Sequence, residues 1–136
     1  MSKTLVAVVL FLLAAVPSGA RAHCDTLDGP VVQTARKALE TGHLNPVLAW
    51  VRPQDEAEIK AAFARATAVR KSGAEARNLA DTWFFETVVR VHRAAEGAPY
   101  TGLKPAGQDL GPAIAAADRS IDSGSPAAWR SSWPTR

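Results

Sequence analysis

Apolar residues run without a break from Leu5 to Val16, and no later run of this chain matches that one. Beyond it they recur at three- and four-residue intervals, the period of helices with one buried stripe. Pro30 suits a first helical position and Gly42 suits the place after a last turn, so residues 30 to 41 are predicted as one helix. Asn45-Pro46 opens a short helical turn through Val51, and Arg52-Pro53 breaks it. From Pro53 to about Lys71 a longer helix carries Ile59, Ala62, Phe63, Ala66 and Val69 on one stripe, and Ser72-Gly73 ends it. The longest segment, about Ala74 to Glu96, places Leu79, Trp83, Phe84, Val88, Val91 and Ala95 on its apolar side.

The stretch 97–107 holds three glycines and two prolines and reads as an ordered loop. Gly111-Pro112 starts a last helix to about Ile121, with Ile114, Ala117 and Ile121 facing the core. From Ser123 onward Ser, Pro, Gly and Arg dominate around Trp129 and Trp133, which predicts a flexible tail over 123–136. No strand alternation is evident. The expected fold is all-α, a small antiparallel bundle of about four main helices over residues 23–122, a framework in which side chains facing inward can build metal sites.

The unbroken apolar run changes the picture of where this bundle works. Lys3 precedes it and Ala20-Arg21-Ala22 follows with the A-x-A pattern, so residues 1–22 read as an export signal cut between Ala22 and His23. The run is too short to cross a bilayer, which needs about 20 apolar residues. The expected mature protein lies outside the cytoplasm, periplasmic or secreted, with no membrane association after cleavage. Loss of Lys3 and Arg21 leaves 14 basic and 13 acidic residues, a net charge of +1. That balance, without a basic run interleaved with aromatics, argues against a nucleic-acid partner.

Cleavage there makes His23 and Cys24 the first two mature residues. The chain has one cysteine, so no internal disulfide can form, although the compartment would permit one. An N-terminal histidine can chelate through its α-amine and imidazole together, and the next residue adds a thiolate or a backbone amide nitrogen. Soft sulfur with imidazole nitrogen selects copper, nickel or zinc over magnesium or calcium. A small residue normally precedes a lipidated cysteine, and His23 stands there instead.

The segment His23-Cys24-Asp25-Thr26-Leu27-Asp28-Gly29 resembles the start of mature nickel superoxide dismutase, His-Cys-Asp-Leu-Pro-Cys-Gly, at four of seven positions. That enzyme is also a small helical bundle. The resemblance implies a metal held by the amine and imidazole of His23 and by the amide nitrogen and thiolate of Cys24. Asp28 stands where the family has its second cysteine, and Leu27 and Val31 replace its proline and tyrosine. Over most of its length the chain is also similar to a family of small exported bacterial proteins of undefined function. That likeness is carried by residues 23–30, by Phe84-Phe85-Glu86-Thr87-Val88-Val89-Arg90-Val91-His92-Arg93 and by the Tyr100 loop.

A second cluster lies on the long helix, where His92 and Glu96 share a face one turn apart and Glu86 lies near it. They are either further metal ligands or an ordinary pair answered by Arg90 and Arg93. The resulting expectation is an exported protein binding one copper or nickel ion through His23 and Cys24, with Asp28, His92 or Glu96 completing the shell or, for Asp28 and His92, delivering protons. Its activity would be redox chemistry on superoxide. The alternatives are a non-catalytic metal carrier and a disulfide-linked interaction module, and homo-oligomerisation stays open. Phosphate-binding glycine loops, nucleophile elbows and His-Glu-x-x-His zinc signatures are absent from the sequence.

Overall fold

The structure, a computed structural model, describes residues 23–109 and 111–125. The expected leader 1–22 and residues 126–136 of the expected tail lie outside them. Five α-helices follow in order: α1 Pro30–Thr41, α2 Asn45–Leu48, α3 Glu56–Val69, α4 Ala74–Ala95 and α5 Pro112–Ser123. Short 3₁₀ turns at His23–Asp25, Pro53–Asp55 and Arg70–Ser72 complete the set. The protein is all-α, and among the described residues β-type pairing is limited to one isolated bridge, Thr26 with Lys104.

The local punctuation acts as its chemistry dictates. Pro30 opens α1, and Gly42 closes it in the left-handed region at φ 77°, where its N–H bonds the Ala38 carbonyl. Gly73, at φ 125°, separates α3 and its terminal 3₁₀ turn from α4. The α2 segment is shorter than the predicted 45–51, and its main chain continues as turns through Trp50 and Val51, whose N–H groups bond back to Val47 and Leu48.

Helices α3 and α4 pack most extensively, with α1 lying across α4. Their partners run in opposite order, Glu58 with Arg90, Phe63 with Phe84 and Arg70 with Asp81, so α3 and α4 are antiparallel. Val31, Val32, Val47, Ile59, Phe84, Val88 and Val89 are fully buried between these elements. Arg70 ties three helices together, since it pairs with Asp81 of α4 at 2.7 Å and donates to the Leu39 carbonyl of α1.

The buried face of α4 differs from the predicted stripe. Ala80, Phe84, Phe85, Val88, Val89, Val91 and His92 are buried, whereas Leu79 is 73% and Trp83 41% exposed. One helix serving two neighbours buries a wider arc than a single stripe, and that arc is centred on Phe84 and Phe85. Leu79 and Trp83 fall at its edge, facing Val69 of α3, which is also exposed. On α5, Ile114 and Ala117 are half-buried and Ala116 is the fully buried position, while the side chain of Ile121 lies outside the described residues.

Candidate functional site: the amino-terminal hook and the end of α4

The hook is a tight fold made from its own small and polar residues. Thr26 turns back so that its hydroxyl donates to the His23 carbonyl at 3.0 Å, and the Gly29 N–H donates to the Thr26 carbonyl at 2.9 Å. Gly29 is required for steric reasons: a Cβ there would lie 2.0 Å from the His23 carbonyl oxygen. Its φ of −74° is ordinary, so the demand is for space and not for an unusual backbone.

The hook is then fastened to the 97–109 loop. Lys104 N–H donates to the Asp25 carbonyl at 2.8 Å and Leu27 N–H to the Lys104 carbonyl at 3.0 Å, a short parallel ladder. Asp28, expected as a metal ligand or proton donor, has a different position. Its Oδ2 accepts the Gly107 N–H at 2.7 Å, and this bond holds the carboxyl below its ordinary range. The carboxylate is exposed and serves as the clasp between hook and loop.

Below the hook stands the carboxyl end of α4. Asp25 is 4% exposed and faces the Arg93 guanidinium, Nε to Oδ1 3.5 Å, while Arg93 also reaches Glu96 at 3.0 Å. The sequence places the Asp25 carboxylate close to the hook's donors and Arg93, with Arg90, beside His92 and Glu96, but does not mark the pairing of Asp25 with Arg93.

His92 is 8% exposed and packs edge-on against Trp50, centroids 5.6 Å apart. Its Nδ1 is 2.8 Å from the Trp50 carbonyl oxygen. A carbonyl can only accept, so Nδ1 carries a proton, and in the neutral ring Nε2 presents the lone pair. That Nε2 is buried and has no hydrogen-bond partner among the described residues, with Glu96 Oε1 3.5 Å away. Trp50 is itself fixed by donating from Nε1 to the Thr34 hydroxyl at 3.3 Å. No sequence pattern marks a main-chain carbonyl, so this orienting contact was illegible beforehand.

Cys24 is half-buried against the core. Burial pushes its thiol pKa up, the Glu96 and Asp25 carboxylates push it further, and Arg93 offsets part of this. Glu96 is therefore the common neighbour of the Cys24 thiol and the His92 imidazole. His23 starts the hook, close enough to Asp28 for its charge to be felt there.

The five expected ligands thus divide. Cys24 and His92 each neighbour Glu96 at the hook's base, His23 begins the hook on the Asp28 side, and Asp28 points to the loop. Among the described residues no group of three or more His, Cys, Asp or Glu side chains is drawn together as a preformed metal cage. A hook that ligates through an α-amine and a backbone nitrogen asks for fewer side chains than such a cage. Among the described residues no helix is long and apolar enough to cross a membrane.

The family model described as "Family of unknown function (DUF6448)" matches residues 28–132, beginning within the hook and covering every helix. No curated protein and no solved structure matches the chain.

Proposed function

The chain belongs to this family of unknown function, and from the site beneath its amino terminus we propose that it is an exported protein binding one copper or nickel ion. Cleavage between Ala22 and His23 would release the α-amine beside the imidazole and next to the Cys24 thiol. The observation that carries the reading is the His92 ring. Its proton sits on Nδ1 against the Trp50 carbonyl, leaving a buried Nε2 lone pair without a hydrogen bond at the base of the hook. A ligating histidine is oriented in the same manner, its second nitrogen donating to a carbonyl or carboxylate.

The donor set fits a borderline-soft ion. His23 and Cys24 supply imidazole, amine, amide and thiolate, His92 a further imidazole, and Glu96 a carboxylate beside both. The same carboxylates that disfavour a bare thiolate at Cys24 favour a cation over it, so a bound metal would reverse the local penalty. Asp28, engaged with Gly107, is left out of this set. The resemblance of His23-Cys24-Asp25 to the start of nickel superoxide dismutase makes superoxide the redox substrate to test. Copper or nickel would supply the one-electron step, while Glu96, beside the His92 imidazole, would handle protons and Arg93 would hold the hook's Asp25 in place. A single thiolate suits copper better than nickel for that chemistry, and metal held without turnover would make the protein a carrier.

The deciding experiment measures binding of copper and nickel to protein beginning at His23 and to the same chain extended by one residue. The extension keeps every side chain but removes the amine from the chelate. We expect one ion per chain and a loss on extension nearly as large as that from Cys24→Ser. Equal binding by the extended chain rules out the amine as a ligand, and a retained Met1 or an acylated Cys24 in the exported protein's mass defeats the hook. Superoxide disappearance above the Cys24→Ser blank separates an enzyme from a carrier.

A further inference from the structure

The groove between α3 and α4, on the side chains that the hook does not use, has the make-up of a small-molecule site. Ala61 and Ala62 of α3 lower its floor, and Glu58, Arg65, Trp83, Glu86, Arg90 and Tyr100 surround a cavity of about 410 Å³. That volume lies within the range of small-ligand pockets. Beyond Arg65 and Trp83, which belong to both, the groove continues into an apolar recess of about 300 Å³ bounded by Ala66, Val69, Leu79 and Ala80.

The charges of the polar part are not all answered. Glu58 and Arg90 pair with each other across the groove. Arg65 of α3 and Glu86 of α4, both exposed, make no ion pair or hydrogen bond among the described residues. Tyr100 of the loop closes one side of the groove, its hydroxyl buried next to the Leu103 main chain, and burial and the nearby Glu86 raise its pKa. Trp83, 41% exposed, and Leu79, 73% exposed, offer apolar surface that folding leaves uncovered.

We propose that this groove binds a free amino acid with a large apolar side chain, its carboxylate on Arg65, its ammonium on Glu86 and its side chain in the Trp83–Leu79 recess. One cation and one anion without ion-pair partners among the described residues, set in a single cleft, suit a ligand carrying both signs, because each end then meets its opposite. The contiguous apolar recess calls for a tail, and Trp83 forms the wall shared by head and tail. The site lies on residues distinct from those of the hook, so it stands or falls independently of metal binding.

The test is calorimetric titration of the purified protein with L-phenylalanine and L-leucine, against glycine, N-acetyl-L-phenylalanine and L-phenylalanine amide. Expected are dissociation constants of roughly 1 mM or tighter for the two apolar amino acids. Glycine and each singly charged analogue should bind roughly tenfold more weakly or worse. Arg65→Gln should weaken L-phenylalanine roughly tenfold yet leave the amide unchanged, and Glu86→Gln should spare the N-acetyl compound in the same manner. Analogue selectivity needs no variant, so it holds even if a substitution disturbs the fold. The proposal is overturned if neither amino acid binds at millimolar concentration or if the blocked analogues bind as well as the parent. Binding confined to apolar peptides overturns it too, because the groove would then be a peptide site.

Discussion

At the scale of single residues, the hook depends on contacts that only particular atoms can make. Gly29 has no room for a methyl group beside the His23 carbonyl. Gly29→Ala should therefore cost about 1–3 kcal/mol in chemical denaturation and loosen the hook, so that the proposed metal binding weakens without any ligand being touched. Cys24 tests the electrostatics. Its thiol pKa is raised by burial and then by Glu96, so in chelator-treated protein near pH 8 it should alkylate more slowly than a free cysteine. Glu96→Gln removes one of those causes and should speed the reaction, and an unchanged rate would show that the carboxylate does not reach the thiol. The sequence exposed the chemistry-bearing residues His23, Cys24, His92 and Glu96. It hid the Trp50 carbonyl and the pairing of Asp25 with Arg93, because those depend on which chain segments fold against one another.

At the scale of elements, the boundaries were legible and the buried faces only in part. Pro30, Gly42 and Gly73 act where a fixed φ or a left-handed turn is needed, so their meaning is local and readable. Burial on α4 is decided by two neighbours at once, which no single helical stripe encodes. Phe84 sits fully buried at the centre of that double contact and tilts against Phe63 at 5.6 Å, whereas Leu79 is 73% exposed. Phe84→Ala should cost about 3–5 kcal/mol, and Leu79→Ala should stay within about 0.5 kcal/mol. Paired denaturant melts decide the point, and a large loss at Leu79 would mean that its face is covered in solution.

At the scale of the whole molecule, an all-α framework is closed by a clasp between its first described turn and its long loop. Asp28 and Gly107 meet across 79 positions of sequence. The Asp28 carboxyl is held below its ordinary range in the folded protein, so its contribution is complete above the unfolded value of about 4 and fades as pH falls through the lower, folded value. Asp28→Asn should abolish that contribution. The stability gap between native and variant protein, followed by urea melts from neutral pH downward, should narrow below about pH 4; a gap independent of pH would mean that the clasp is not electrostatic.

The clasp also orders events in time. The Lys104 and Gly107 main-chain groups that fasten the hook are made long after the hook itself. Closing so long a loop is an entropic debt that local contacts within the hook cannot settle. The hook thus leaves the ribosome well before the main-chain groups that fasten it, and under the proposed function a metal that requires Cys24 and His92 together would enter only a folded chain.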